Sequence, residues 1–489
     1  MDEARISEIV RQVLAEFQAG GGTVAKVAGA PVPQRSPAMP LASSPVTAGV
    51  PSGGNDGIFG DIEDAINASV AAQVQLTAMG MDMRKTIVAA IRQTALAESR
   101  RLAELAVADT GMGRADHKQA KNDLATNRTP GPEDLEPECF TGDHGMTFVD
   151  YAPFGVIGSL TPCTNPTSTI INHGIAMISA GNSVVFGPHP AAIQSTLEAI
   201  RVLNRAIVRA GGPPNLLTSI AEPTLRTAKI LMTHPKVNLL VATGGTSVVK
   251  AAMTSGKRAI AAGPGNPPVI VDETADLPKA ARDIVAGASF DNNMPCICEK
   301  ECFVVQSVAD RLILEMQHAG AYLINRQHVD SLTKILITED GHPNRDYVGK
   351  SPQVLLNAIG LSVPANIDLV ICETVEEHPF VQEELLMPIL AIVRVSDYNA
   401  AVEAAIRAEH SFRHTAIIHT ARIDRITDFA KRIRVNLFVA NGPCGAALGT
   451  DAEGYSAMTI AGPTGEGACR PRTFSTRRRV ALPGSLRVL

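Results

Sequence analysis

Short β-rich runs alternate with helical stretches along most of the chain, and this alternation restricts the fold more than any other feature of the sequence. Each run contains β-branched or apolar residues and has Gly or Pro at or near its ends. The first predicted strands are residues 156–160, 183–186, 237–242 and 268–271. Residues 165–179 and 191–210 have helical spacing, and a second alternating series runs from about 302 to 440. Strands that alternate with helices predict an α/β fold with a parallel, doubly wound sheet.

Length and composition restrict the class of protein further. A chain of 489 residues predicts two or three domains. Its 45% hydrophobic and 19% charged content is typical of an ordinary globular enzyme. With 4% aromatic residues, no Trp and a net charge of −5, nucleic acid is not an expected partner. No membrane span and no signal peptide are predicted, and eight scattered cysteines suggest free thiols in a reducing cytoplasm.

The N-terminal end is predicted to be a separate segment. Residues 1–18 carry apolar side chains at helical spacing, with charged residues of both signs on the other face. The apolar positions are Ile6, Ile9, Val10, Val13, Leu14 and Phe17. Residues 19–56 are mostly Gly, Ala, Pro, Ser, Thr and Val, a composition typical of a flexible linker. The helix either docks on its own domain or binds a partner, and the long linker favours a partner.

Cys296 is the candidate nucleophile. A small, polar, turn-prone stretch from 288 to 300 presents it just before the apolar run 303–305. Such a position suits an accessible thiol, although most cysteines are simply buried. Cys298 and Cys302 lie close by, but the spacing is not C-x-x-C and lacks partner ligands, so no metal is expected.

Two further motifs are individually weak. Asn165 lies where a predicted strand meets a predicted helix, and it either caps that helix or donates to an oxyanion with the N–H of Cys296. The stretch 242–247, Ala-Thr-Gly-Gly-Thr-Ser, is either a simple turn or a phosphate-binding helix start.

Together, the motifs resemble the aldehyde dehydrogenase superfamily in its coenzyme-A-acylating branch, and the resemblance covers residues 57–482. The motifs that carry it are Pro153-Phe154-Gly155-Val156-Ile157-Gly158, Thr164-Asn165-Pro166, Gly181-Asn182-Ser183-Val184-Val185-Phe186, Thr243-Gly244-Gly245-Thr246, Asn292 through Cys296, and Glu384 through Pro388. Their order and spacing make the set specific, although each alone is weak.

The resemblance implies an aldehyde dehydrogenase fold with a Rossmann-like domain, an α/β catalytic domain and a β oligomerisation flap. The implied segments are 57–138 and 155–262 for NAD and coenzyme A, 263–454 for catalysis, and 139–154 and 455–489 for oligomerisation. It further implies Cys296 and Asn165 as catalytic residues. The residues implied to bind cofactor are Thr161, Pro162, Thr164, Pro188, His189, Thr243, Gly244, Gly245, Thr246, Gly263, Glu384 and Leu386. Within this set, Glu384 is implied to bind the nicotinamide ribose.

Two departures from the superfamily pattern bear on the chemistry. Ala262 stands where hydrolysing members carry a glutamate that activates water, and a methyl group cannot act as a base. The thioester on Cys296 should therefore persist until coenzyme A arrives. Gly187-Pro188 replaces a common Lys-Pro pair, which suggests a reshaped nucleotide site, and the following His189 is either a coenzyme A contact or a turn residue.

The resemblance favours NAD-dependent conversion of propionaldehyde to its acyl-CoA in the lumen of a bacterial microcompartment. The alternative is an acetylating acetaldehyde dehydrogenase of an ethanolamine or similar microcompartment. Residues 1–18 would bind shell proteins, and the enzyme would be a dimer or tetramer. Two rival hypotheses are a hydrolysing aldehyde dehydrogenase and a shell-associated scaffold without activity.

Overall fold

The structure is a computed structural model that describes residues 55–486. The predicted helix at 1–18 and nearly all of the predicted linker at 19–56 lie outside these residues. Two parallel sheets and one antiparallel sheet organise the described chain. The parallel sheets confirm the predicted α/β class.

The first sheet has six parallel strands in the order β1-β6-β5-β4-β7-β8. These strands are β1 (Ile58–Phe59), β4 (Val156–Leu160), β5 (Ser183–Gly187), β6 (Leu217–Ile220), β7 (Leu239–Thr243) and β8 (Ala259–Ala262). The helices of this part are α1 (Ile62–Ala78), α2 (Met81–Thr110), α3 (Ala115–Arg128), α4 (Pro166–Ser179), α5 (Ile193–Arg209), α6 (Leu225–Thr233) and α7 (Thr246–Met253). All five residues of β4 are buried, as expected for a parallel strand covered on both faces.

The strand order reverses at the centre of this sheet. From β4 the chain continues to β5 and β6 on one side, and then crosses to β7 and β8 on the other. In open parallel sheets, ligands bind outside the carboxyl ends of the strands at such a reversal. The fold therefore places a ligand crevice where β4 and β7 end.

The second sheet has seven parallel strands in the order β11-β12-β13-β10-β9-β14-β15. These strands are β9 (Pro268–Val271), β10 (Glu301–Val305), β11 (Ala321–Ile324), β12 (Leu369–Glu373), β13 (Ile389–Val395), β14 (Thr415–His419) and β15 (Leu437–Ala440). The accompanying helices are α8 (Leu277–Ser289), α9 (Gln306–His318), α10 (Arg326–Leu336), α11 (Pro352–Asn357), α12 (Pro379–Gln382), α13 (Tyr398–Ala408) and α14 (Ile423–Ile433).

A third sheet joins two distant parts of the chain. Strand β3 (Gly145–Pro153) pairs antiparallel with β2 (Glu138–Gly142) and with β18 (Ser475–Pro483). A short hairpin of β16 (Ile460–Ala461) and β17 (Gly467–Ala468) precedes β18. Within residues 55–486, no helix combines the length and apolar character needed to cross a bilayer.

The predicted strands at 156–160 and 268–271 have the bounds of β4 and β9, whereas β7 begins at Leu239 rather than at 237. Strands β6 and β8, whose sequences are Leu-Thr-Ser-Ile and Ala-Ile-Ala-Ala, were not predicted. Each is only four residues long and has few β-branched apolar residues, so the local signal is weak. The predicted domain limits stay predictions.

Candidate active site

The loop that carries Cys296 begins with an unusual backbone. After α8, Asp291, Asn292 and Asn293 have φ angles of 49°, 56° and 63°. Three consecutive residues in the left-handed region are rare, and Asp and Asn are among the few non-glycine residues that adopt it readily. The sequence Asp-Asn-Asn is therefore a conformational requirement of the loop that leads to the thiol.

Side-chain hydrogen bonds hold this left-handed run in place. The Asn292 amide donates to the carbonyl of Gly349 at 2.8 Å. The Asn293 amide donates to the carbonyls of Ala288 at 2.8 Å and Glu299 at 2.9 Å. Because a strained backbone persists only where its surroundings fix it, these bonds make the position of Cys296 rigid.

Cys296 is half-buried and lines a cavity of about 580 Å³. Most of the side chains around this cavity are apolar, including Phe290, Leu124, Ile297, Met458 and Ile460. Within residues 55–486, the backbone N–H of Cys296 donates to no backbone carbonyl. The loop thus offers a thiol, and an N–H without a backbone acceptor, beside a cavity suited to a small apolar molecule.

Asn165 lines the same cavity. It occupies the N-cap position of α4, with Pro166 as the first helical residue, but its side chain makes no capping hydrogen bond. The simple capping interpretation is therefore wrong for the side chain. Its Oδ1 accepts a hydrogen bond from Nζ of Lys121 at 2.7 Å, and its Nδ2 donates to Oγ1 of Thr164 at 3.2 Å. The second N–H of the amide remains free to donate to an oxyanion.

Burial raises the pKa of Cys296 to about 12, and the nearby charge of Glu384 acts in the same direction. The positive charge of Lys300 lowers it. Lys300 lies beneath the loop and donates to the carbonyl of Asn293 at 3.0 Å. At neutral pH the thiol is thus mostly protonated, and Lys300 is the charged side chain that favours the thiolate.

Glu384 lies on the segment between α12 and β13. Its Oε1 accepts from the backbone N–H of Gly265 at 3.2 Å, and burial raises its pKa to about 7. Leu386 follows with a positive φ of 53°, and its carbonyl accepts from Gly349 at 2.8 Å. Glu384 lies close enough to Cys296 for its charge to raise the pKa of the thiol.

The other candidate cofactor residues lie at the carboxyl edge of the first sheet. Thr161, Pro162 and Thr164 follow β4, and Pro188 and His189 follow β5. Thr243 ends β7, Gly244 and Gly245 follow it, Thr246 begins α7, and Gly263 follows β8. His189 is exposed, and its Nδ1 accepts from the N–H of Ala191 at 3.1 Å, as in a turn residue. Its contact with coenzyme A stays a prediction. The set clusters at the crevice that the strand order defines.

The start of α7 fits an anionic group. Gly245 is the N-cap residue and has no side-chain cap, and a Cβ added there would meet no atom within 4 Å. Within the described residues, the N–H groups of Gly245, Thr246 and Ser247 donate to no backbone carbonyl. Exposed N–H groups at a helix start attract phosphate, so a pyrophosphate fits here.

Ala262 is 3% exposed at the end of β8. The following turn, 263–265, contacts the loop that carries Cys296, because a Cβ on Gly265 would stand 2.8 Å from the carbonyl oxygen of Cys296 and 2.8 Å from Cγ of His414. Ala262 thus presents a buried methyl group next to this turn.

Sequence reasoning missed a cluster of buried charges behind the site. Lys118 and Lys121 on α3 both contact Asp291 Oδ2, and the backbone N–H of Arg114 donates to Asp291 Oδ1 at 2.7 Å. Lys300 was missed as well. The Asp-Asn-Asn sequence at 291–293 was the one feature that could have pointed to this cluster, because it places a carboxylate in the loop before Cys296. In residues 55–486, no group of three or more His, Cys, Asp or Glu residues is arranged to hold a metal ion.

Comparisons with known proteins show what this chain is similar to. A family model described as the aldehyde dehydrogenase family matches residues 42–459. The acetylating acetaldehyde dehydrogenase EutE of Salmonella typhimurium is 46% identical over 439 residues, which cover 88% of this chain and 94% of that protein.

Two solved structures are also similar. The propionaldehyde dehydrogenase of Rhodopseudomonas palustris, with bound CoA and an acylated cysteine, has 47% identity, a TM-score of 0.87 and coverage of 89% of this chain and 100% of its own. The propionaldehyde dehydrogenase of the Clostridium phytofermentans fucose utilisation microcompartment has 46% identity and a TM-score of 0.87. The match covers 88% of this chain and 100% of that structure.

Proposed function

The chain belongs to the aldehyde dehydrogenase family, and from this premise we propose that it oxidises propionaldehyde to propionyl-CoA with NAD and coenzyme A. The observation that carries the proposal is that Cys296 and Asn165 line one cavity. The buried Ala262, at the position where the resemblance implies a water-activating glutamate in hydrolysing members, supports it further. Two propionaldehyde dehydrogenases among the similar structures support the choice of aldehyde.

The residues of the site divide the chemistry between them. The Cys296 thiolate adds to the aldehyde carbonyl, and the resulting oxyanion accepts hydrogen bonds from the Asn165 amide and the Cys296 N–H. NAD, when bound, takes up the hydride, and coenzyme A takes up the acyl group from the sulfur. The open start of α7 would hold the pyrophosphate, and Glu384 would contact the ribose of the nicotinamide half.

Thioester persistence follows from the residues around the sulfur. Ala262, which the resemblance places where hydrolysing members carry a water-activating glutamate, supplies no base. A thiol nucleophile needs less help than water, because thiols ionise closer to neutral pH. The acyl group is therefore transferred to coenzyme A rather than hydrolysed.

Acetaldehyde is the second candidate substrate, supported by the similarity to EutE. The cavity of about 580 Å³ accommodates either aldehyde, and one methylene is worth only about 1–3 kcal/mol of discrimination.

The test is steady-state NADH formation from acetaldehyde, propionaldehyde and butyraldehyde, each with and without coenzyme A. We expect the highest kcat/KM for propionaldehyde, strict dependence on coenzyme A, and no turnover by Cys296→Ala. Equal rates without coenzyme A, with free acid as product, would contradict acylation.

Residues 1–18 are proposed to bind a microcompartment shell protein, which would place the enzyme in the microcompartment lumen. Similarity to a microcompartment enzyme supports this location. Deleting residues 1–18 should leave kcat and KM unchanged and remove the enzyme from purified shells. Retention in the shells after the deletion would contradict the proposal.

A further inference from the structure

Asn165 can act on an oxyanion only if its amide nitrogen, rather than its oxygen, faces the cavity. The side chain is a nearly symmetric amide, so its packing alone does not select one orientation. A neighbouring group must therefore determine whether the amide nitrogen or the amide oxygen of Asn165 faces the cavity. The structure places such a group directly against the amide oxygen.

That group is Lys121. Its ammonium donates to Oδ1 of Asn165 at 2.7 Å and to the carbonyl of Thr164 at 3.1 Å. An ammonium group has three donors and no acceptor, so it can face only the oxygen of the amide. The nitrogen is then directed to the opposite side, where one N–H contacts Oγ1 of Thr164.

Lys121 is itself held in place. It is 5% exposed and forms an ion pair with Asp291, whose side chain is fully buried. Lys118, one helical turn earlier on α3, contacts the same carboxylate oxygen at 3.0 Å. The two ammonium groups outweigh burial and keep the pKa of Asp291 below its usual value. Two cations share one anion, which leaves excess positive charge behind Asn165.

We propose that Lys121 is a positioning residue, which orients the Asn165 amide so that its N–H faces the substrate oxygen, while Asp291 and Lys118 fix Lys121. Asp291 is also the first left-handed residue of the loop that carries Cys296. The Asp291 carboxylate therefore fixes the loop that carries Cys296 and, through Lys121, the Asn165 amide. It thereby also fixes the distance between the thiol and the amide. This inference rests on the oxyanion role proposed for Asn165.

The test compares Lys121→Met and Lys121→Gln with Asn165→Ala and with the double variant Lys121→Met/Asn165→Ala. We expect Asn165→Ala to lower kcat by about 100-fold or more, as the loss of an oxyanion donor does. Lys121→Met should lower kcat by about 10-fold or more and leave the KM for NAD unchanged. Lys121→Gln should recover part of this loss, because its amide can donate to the Asn165 oxygen.

The double variant should be no slower than Asn165→Ala alone, since both changes remove the same interaction. The rate of Cys296 alkylation by iodoacetamide should stay within about twofold in Lys121→Met, because alkylation forms no oxyanion. Lys257→Met is the matched control, since Lys257 is a partly buried lysine that donates to the carbonyl of Val237 at 2.8 Å. It should leave kcat unchanged.

Two results would overturn the inference while leaving the proposed function intact: a further loss in the double variant equal to that of Lys121→Met alone, or a parallel loss of alkylation. The first would show that Lys121 acts independently of Asn165, and the second that it only supports the loop. Wild-type kcat in Asn165→Ala would instead refute the oxyanion role itself.

Discussion

Cys296 is held in surroundings that disfavour its ionised form. Burial and Glu384 together raise its pKa to about 12, and only Lys300 among the charged side chains acts against them. The same carboxyl group has its pKa raised to about 7 by burial, so its charge changes within the working range of most enzymes. The reactivity of the thiol should therefore depend on the protonation of Glu384.

Replacing Glu384 by Gln tests this dependence. Above pH 7 the wild-type carboxyl group is ionised and raises the pKa of Cys296, so Glu384→Gln should lower that pKa. Each unit of lowering increases the thiolate fraction about tenfold at pH 9. We expect iodoacetamide to alkylate Cys296 about 3- to 10-fold faster in the variant at pH 9, and equally fast at pH 6, where Glu384 is protonated.

Peptide mass spectrometry can follow each cysteine separately, with the exposed Cys139 as the internal reference. A rate ratio between variant and wild type that is the same at both pH values would show that charge is not the cause. The same variant should also raise the KM for NAD if Glu384 contacts the ribose.

At the scale of the element, the Asp291–Asn293 run determines the position of Cys296. Its three positive φ angles require residues that tolerate the left-handed region. The side chains of Asn292 and Asn293 also donate the hydrogen bonds that hold the loop in this conformation. Asn293 has both functions, because it is left-handed and its amide bridges Ala288 and Glu299. The two contributions can be separated by substitution.

Asn293→Ala loses the two hydrogen bonds that its amide donates and the one that its Oδ1 accepts from Lys300, each worth about 1 kcal/mol, and adds a left-handed alanine that costs about 1 kcal/mol more than glycine. Asn293→Gly loses only the bonds. We expect both variants to unfold at lower temperature than the wild type, with Asn293→Ala the less stable. Thermal unfolding under identical conditions measures the order, and equal midpoints for the two variants would mean that the backbone angle costs nothing.

The sequence predicted strands and motifs better than it predicted the charges behind them. Strand β4 was predictable because a fully buried parallel strand is a short apolar run between turn residues. Lys121 was not, because a lysine in a helix normally faces solvent and its partner Asp291 lies 170 residues away. Local periodicity does not report such long-range pairing. The orientation of Asn165 was missed for the same reason.

At the scale of the molecule, the third sheet leaves apolar side chains in solvent. On β18, Val480 is 56% exposed and Leu482 is 38% exposed, and both lie on one face because they are two residues apart. The antiparallel register places Phe148 of β3 beside Val480. An apolar face on an exposed sheet supports the proposal that 139–154 and 455–489 join subunits.

Val480→Asp should therefore weaken assembly, because a carboxylate would have to be buried in the contact. Analytical ultracentrifugation should show a smaller species for this variant at equal concentration. Ala481→Asp is the matched control, since Ala481 is exposed on the opposite face of the same strand. An unchanged mass for Val480→Asp would place the subunit contact elsewhere.

Asn165 lines the cavity and also lies at the carboxyl edge of the first sheet. The candidate cofactor residues at the ends of β5, β7 and β8, however, do not line the cavity. Organic molecules that fill the cavity should consequently inhibit by competing with aldehyde while leaving nucleotide exchange unhindered. Elongated aldehyde analogues should thus inhibit selectively. Their inhibition constants should not rise as the cellular concentration of dinucleotide increases.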